Sequence, residues 1–325
     1  MRRKTKSKVL VTGGTGFIGR ALIKTLSASG RPIVAPIRSE DSSRGLRIGK
    51  WKCPVIGEIN SNTDWGRLLH DVDAVVHCAN QSGVIDEKKP PQKQPYFEIN
   101  VNGTLNLAKQ ASEAKVRRFI FLSSIKVNGQ YTEKGKTFNE LDPPNFSDLY
   151  GESKYETESR LLELTKTTAM ETVIIRSPLV YGPNSKGNFE KLSKLVSSGI
   201  PLPLSSIRNS RSFLAIDNLC DLIQLCLDHE AAANEIFMAS DGQDLSTPEL
   251  LQGIAAAMGV SLKLYPCPPR ILEIIANAFG KQFLAQRILG SLCVNAGKAE
   301  EKLQWTPPVN VKEGLKRCFP EVGPK

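Results

Sequence analysis

Lys8 to Leu26 reads KVLVTGGTGFIGRALIKTL. Val9, Leu10 and Val11 form the short apolar run that a strand buried on both faces requires, and a glycine turn follows at once. Phe17, Ile18, Leu22, Ile23 and Leu26 then recur at helical spacing. In Gly14-x-Gly16-x-x-Gly19, Gly14 is expected to allow the tight turn, Gly16 to let the main chain approach a pyrophosphate, and Gly19 to let helix pack close on strand. The phosphates of a dinucleotide would sit at the helix N-terminus, where unpaired N–H groups and the dipole favour negative charge.

The chain of 325 residues is long enough for one large α/β unit or a cofactor domain with a smaller lobe. Its net charge is 43 − 33 = +10. Arg2, Arg3, Lys4, Lys6 and Lys8 supply half of that excess at the very start, without an acid or an aromatic residue among them. Residues 1–7 therefore read as a solvated, disordered basic tail, and no nucleic-acid partner is expected. Seven cysteines and three histidines show neither a CxxC pair nor metal-ligand spacing, so no metal is expected, and reduced thiols point to the cytoplasm. The basic start runs into the first strand with no small-residue cleavage site, unlike a signal peptide. No apolar run is long enough to span a bilayer, so no membrane insertion is expected. The apolar stretch from Ile271 to Leu292, interrupted by Glu273, Lys281 and Arg287, is read as a lobe helix covering a substrate cleft in preference to a membrane-surface helix.

Further strands are expected at Pro32–Ile37, Val55–Ile59, Asp73–Ala79, Phe119–Leu122, Val173–Arg176 and Glu235–Ala239, with a helix at Phe97–Ala114. Arg38 lies 19 positions after Gly19, where an acid would accept from a ribose 2′-OH and an arginine would accommodate a 2′-phosphate. NADP(H) is favoured, with NAD(H) open through Glu40 or Asp41. His77, inside an apolar strand, reads as structural. The polar segment Ser82–Pro95 reads as a loop at the ligand end of the sheet.

Tyr150 and Lys154 stand four residues apart, on one face of a helix that continues through Leu161, Leu162 and Leu164. A tyrosine near its ordinary pKa of about 10 is a poor base at neutral pH, and an adjacent ammonium favours its phenolate. Ser124, at the end of the Phe119–Leu122 strand, is placed to hydrogen-bond a reacting oxygen and steady a developing alkoxide.

With Gly13 included, Gly13-x-x-Gly16-x-x-Gly19 in TGGTGFIG, followed by Ser124 and Tyr150-x-x-x-Lys154, resembles the extended short-chain dehydrogenase/reductase superfamily and its NAD-dependent epimerase/dehydratase family, over about Lys8 to Gly314. The resemblance implies a doubly wound parallel Rossmann sheet over 8–180, rejoined by 212–243. It also implies a smaller, discontinuous nucleotide-sugar lobe over 181–211 and 244–325. It implies Tyr150 as proton donor or acceptor, Lys154 as its electrostatic partner and Ser124 as orienter of the substrate oxygen. The cofactor would meet Gly13, Gly16, Phe17, Ile18, Gly19, Arg38, Glu58, Ile59, Ala79, Asn100, Tyr150, Lys154 and Pro178. A UDP-sugar would meet Ser124, Asn188 and Arg211, whereas Arg208 is as readily surface charge. Sugar 4,6-dehydratases of this superfamily carry two acids directly after the residue at the Ser124 position, where this chain has Ile125 and Lys126. The implied activity is redox chemistry at C4 of a nucleotide sugar. Reduction of a UDP-4-keto-6-deoxy-N-acetylhexosamine is placed first and UDP-sugar 4-epimerisation with tightly bound NAD second. The family also implies homodimerisation through the helices at Val101–Ala114 and Lys154–Thr165.

Overall fold

A computed structural model describes residues 7–40, 52–81 and 93–319. The basic run from Arg2 to Lys6, Asp41, and the expected loop as far as residue 92 lie outside the described residues. Six strands form one parallel sheet: β1 (Lys8–Thr12), β2 (Ile33–Val34), β3 (Val72–His77), β4 (Arg118–Ser124), β5 (Glu171–Ser177) and β8 (Glu235–Met238), in the order β2-β1-β3-β4-β5-β8. The chain leaves β1 for β2 on one side and returns to β3 on the other, so the crevice at the carboxyl ends of β1 and β3 is the topological switch point.

The apolar runs are continuous because both faces of this sheet are covered. Val9 and Val11 face a core shared with helices α1 (Phe17–Ala28) and α6 (Ile216–Asp228), while Leu10 between them faces one shared with α3 (Thr104–Glu113) and α4 (Leu149–Thr167). The expected strand at Val55–Ile59 is not regular. It survives as parallel bridges from Val34 to Lys52 and from Ile37 to Val55, with Ile37 N–H donating to Pro54 O. Pro54 has no N–H to donate, and Gly57 at φ +75° turns the chain away, so the edge cannot extend. The expected helix at Phe97–Ala114 is instead α2 (Lys93–Phe97), a π-helical turn at Glu98–Gly103, and α3.

Two short strands, β6 (Leu179–Tyr181) and β7 (Phe213–Ala215), pair in parallel as a separate sheet. Leu214 faces the main core, while Phe213 and Ala215 face a second core built with α5 (Asn188–Ser197), α7 (Thr247–Met258) and α11 (Val311–Cys318). This small sheet lies between the two cores. Helix α7 opens with a capping box, Ser246 accepting from Glu249 N–H while the Glu249 carboxylate accepts from Ser246 N–H, and with Pro248 in its first turn.

Two further helices, α8 (Pro269–Ala278) and α9 (Gln282–Leu289), precede α10 (Gly297–Leu303). No residue of α8 is fully buried. Its apolar period matches a buried helix, but only Leu272 of α8 packs on the lobe core, joined by Ile288 and Leu289 of α9.

Candidate active site

The glycine turn adopts the expected shape with one reassignment. Gly13, at φ +65°, makes the turn, and a Cβ there would stand 2.6 Å from Ala79 N and 2.8 Å from the Cys78 carbonyl carbon. Gly14 is a packing position, its missing Cβ replaced by Ile23 Cδ1 at 2.8 Å. The Gly13 carbonyl oxygen would lie 2.2 Å from a Cβ on Gly19, so α1 rests directly on the turn. Gly16 caps α1 with no side-chain acceptor, and no acid occupies the first turn, where Phe17 and Ile18 are half-buried. The first N–H groups of a 12-residue helix thus face an open cradle shaped by missing side chains, which fits a dinucleotide diphosphate.

At the far edge of the sheet Arg38 and Glu58 are both largely exposed, with Arg38 Nη1 3.8 Å from Glu58 Oε1. This loose pair leaves the guanidinium reachable by a phosphate. Ile59 packs on the π-turn, with its Cγ2 2.9 Å from where a Cβ on Gly103 would lie.

Around Tyr150 the structure gathers residues distant in sequence. Asp148 caps α4 by accepting from Gly151 N–H at 2.8 Å, which places Tyr150 and Lys154 on successive turns. Asn80 Nδ2 lies 3.5 Å from the Tyr150 hydroxyl, and Ser124 at the end of β4 hydrogen-bonds to the same side chain. Lys154 is 3% exposed and donates to Leu122 O at 2.8 Å, with its Nζ 5.7 Å from the Tyr150 ring centroid. Lys126 brings a second ammonium, 5.4 Å from that centroid and 2.5 Å from Asp148 Oδ2.

Burial dominates the electrostatics here. It pushes the Tyr150 phenol up to about 12. The Asn80 and Ser124 hydrogen bonds pull it back, and the Asp148 carboxylate adds to the rise. Burial also pulls the Lys154 ammonium down to about 7 against the opposing pull of Glu158 and Cys78. The sequence-based expectation of a phenolate favoured by Lys154 is corrected accordingly: at neutral pH Tyr150 holds its proton and is poised to donate it.

Three buried arrangements hold this cluster. Thr104 Oγ1–H donates to Asn100 O at 2.7 Å, so its oxygen must accept from His77 Nε2–H at 2.9 Å; His77 Nδ1 then accepts from Thr12 Oγ1–H at 2.9 Å. Ala79 N–H completes the chain by donating to Thr12 Oγ1 at 3.2 Å. His77 is thus a satisfied neutral tautomer tying β1, β3 and the π-turn together, as its place in an apolar strand suggests. Asn100 accepts from Gln81 N–H at 2.8 Å and donates to Gln81 O at 3.2 Å. Its amide grips the segment after β3 and so fixes the backbone beside the glycine turn. Arg176 on β5 and Glu158 on α4 form a buried pair at 2.6 Å, which Asn128 Oδ1 extends by accepting from Arg176 Nη1 at 3.0 Å. Pro178 follows, buried, between β5 and β6.

In the lobe, Arg211 is mostly buried, donates from Nη1 to Gly290 O at 2.9 Å, and makes no ion pair among the described residues. Burial holds its pKa below the ordinary range, with Arg287 pulling the same way and Cys293 opposing. A desolvated guanidinium beside a second cation is suited to an anion. Asn209 fixes this corner by donating to Gly290 O at 2.9 Å and accepting from Thr247 N–H at 2.8 Å. Asn188 is exposed in the first turn of α5, and Arg208 donates to carbonyls of its own loop. Neither Asn188 nor Arg211 shares a hydrogen bond or ion pair with the Tyr150 cluster among the described residues. Lys126, Asp148 and Asn209 receive no role from the sequence, and Asn80 enters it only as the last residue of the segment His77–Asn80 that resembles the family's pass beneath the cofactor. Of these only Asp148 carries a local signal, a cap residue three positions before Gly151.

The model of the NAD dependent epimerase/dehydratase family matches residues 9–239. UDP-glucose 4-epimerase from Vibrio cholerae is 42% identical over 97% of this chain and 95% of its own length. Among solved structures, UDP-glucuronic acid 4-epimerase from Bacillus cereus with NAD superposes with a TM-score of 0.75 at 23% identity, covering 96% of that chain and 95% of this one. RMD from Pseudomonas aeruginosa with NADPH gives 0.71 at 21% identity, over 96% of this chain and 98% of that one. The family match takes in the glycine cradle, the serine strand end and the tyrosine–lysine helix, and the Vibrio relative extends through the lobe, so this chain is an enzyme of the NAD dependent epimerase/dehydratase family.

Proposed function

We propose that this enzyme interconverts an alcohol and a ketone at C4 of a UDP-hexose, with Tyr150 exchanging the proton of the C4 oxygen. The observation that carries the reading is the buried Tyr150 hydroxyl, met by Asn80 and Ser124 and flanked by the ammonium groups of Lys154 and Lys126. Gly13, Gly16 and Gly19 would hold the dinucleotide diphosphate, and Arg38 its adenine end. A bound nicotinamide supplies the hydride acceptor and donor. Tyr150 donates its proton to the C4 oxygen when that carbon is reduced and recovers it when the alcohol is oxidised. Ser124 orients the same oxygen, and the two ammonium groups offset the phenolate charge in between. Arg211 pairs with the sugar diphosphate, and Asn188 contributes from α5.

The finer reading is 4-epimerisation, because the relative at 42% identity that spans both halves of the chain is a UDP-glucose 4-epimerase. A second reading, reduction of a UDP-4-keto-6-deoxy-N-acetylhexosamine with NADPH, draws on Arg38 at the position that accommodates a 2′-phosphate. Proton NMR of the purified enzyme with UDP-galactose or UDP-N-acetylgalactosamine separates the two. Epimerisation without added cofactor is expected; an inert UDP-sugar, with one NADPH consumed per ketosugar, would replace it by the reductase reading. We also infer a homodimer through α3 and α4, whose shared groove is lined by Leu105, Lys109, Arg160, Glu163, Leu164 and Thr167. Sedimentation equilibrium of Leu105→Asp should give a monomer, and an unchanged dimer would remove that face. A cytoplasmic location is consistent with seven cysteines that form no disulfide, and no helix among the described residues is long and apolar enough to cross a membrane.

A further inference from the structure

Tyr265, Ile271, Ile274, Ile275, Phe279 and Leu284 all stand exposed on one short stretch, with Ile274 at 67% and Phe279 at 75%. Ile271, Ile274 and Ile275 follow the i, i+3, i+4 rule, so they form a stripe along α8 that continues over the turn at Gly280 to Leu284 on α9. Leu272, Ile288 and Leu289 hold the hairpin to the second core. Solubility alone gives no reason for such a concentration of apolar surface.

The charges around the stripe identify what it meets. From Lys263 to Arg287 the cations are Lys263, Arg270, Lys281 and Arg287 and the only acid is Glu273, a balance of 4 − 1 = +3. None of the five makes an ion pair among the described residues, although ion pairs are common on the rest of the surface. An apolar stripe rimmed by unpaired lysine and arginine matches a surface with acyl chains below and phosphates above, whereas protein interfaces are depleted of lysine. The stripe is also wired to the candidate diphosphate site. Helix α9 ends at Gly290, whose carbonyl accepts from both Arg211 and Asn209 at 2.9 Å.

We propose that the α8–α9 hairpin docks this enzyme peripherally on an anionic bilayer surface, with Ile274, Ile275 and Phe279 in the acyl boundary and Arg270 and Lys281 at the level of the lipid phosphates. The docking is independent of which sugar the enzyme takes. It would hold the lobe and its Arg211 corner beside the headgroups.

The test is co-sedimentation of the purified full chain with sucrose-loaded vesicles of phosphatidylcholine, with and without phosphatidylglycerol. The parent should bind the anionic vesicles, and less so at high salt. Ile274→Glu/Phe279→Glu should weaken that binding at least about tenfold, since it removes two of the inserted side chains. Both positions are exposed, so the melting curve should not move. Phe279→Trp supplies a readout that does not rely on loss: its emission should shift to the blue on anionic vesicles and be quenched by brominated acyl chains. No co-sedimentation of the parent, or an unmoved Trp spectrum, overturns the proposal. Equal binding by the double variant overturns it in favour of the basic run from Arg2 to Lys6. Self-association that the double variant abolishes, without vesicle binding, assigns the face to a second copy instead.

Discussion

His77 offers a quantitative test of the buried scaffold, because its protonation would place a charge in the core and turn Nδ1 from acceptor to donor towards Thr12. Burial, reinforced by the Lys154 charge, pulls its pKa from 6.5 down to about 3. Between those values the unfolded chain binds a proton that the folded chain refuses, so stability must fall as pH is lowered through 6.5 towards 3. At pH 5.0 the difference for this one group is roughly (6.5 − 5.0) × 1.36, or about 2 kcal/mol, while at pH 7.5 it is close to zero. Urea unfolding at the two pH values measures the total change, to which other groups also contribute. His77→Gln isolates this one. Glutamine keeps a donor and an acceptor but no titration, so the variant should lose about 2 kcal/mol less than the parent between pH 7.5 and 5.0, whatever its constant offset. An identical pH dependence in both proteins would refute the neutral, fully bonded His77.

Arg176→Met strands the buried Glu158 carboxylate against α4, so unfolding free energy should drop by about 3–5 kcal/mol, read from denaturant melts. Arg211→Ala should raise KM for the UDP-sugar by the equivalent of about 1.5–3 kcal/mol with cofactor affinity unchanged, and a parallel loss of both affinities would count against a diphosphate role. Gly13→Ala, which combines φ +65° with a Cβ 2.6 Å from Ala79 N, should lose dinucleotide binding by calorimetry, and retained affinity would show that the turn is not the cradle. Arg38→Ala should lower the NADPH-to-NADH ratio of kcat/KM. An unchanged ratio would free the adenine end from this side chain.

What was legible in the sequence was what physics makes local. Val9–Val11, Phe119–Leu122 and Val173–Arg176 announce themselves because a parallel sheet covered on both faces needs unbroken apolar runs. Tyr150 and Lys154 are visible because four residues make one helical turn. The glycine motif is equally plain, yet spacing cannot say which glycine takes positive φ, and that falls to Gly13 through the closeness of Ala79 on another strand. Partners that meet only through folding left no pattern. Asn80 reaches Tyr150 across 70 positions, and Lys126 reaches Asp148 across 22. The raised phenol of Tyr150 is hidden for the same reason, since burial belongs to the assembled site and outweighs the hydrogen bonds from Asn80 and Ser124. In α8 the sequence shows the apolar period alone, because periodicity marks a face without saying what lies opposite.

Turnover of the UDP-sugar by Tyr150→Phe, set beside its binding of the same sugar and of the dinucleotide, tests the central claim most directly. Both affinities should stay within about twofold of the parent while the rate falls at least about a hundredfold, the scale of a positioned proton-transfer group. Full activity in the phenylalanine variant, with binding intact, would contradict it.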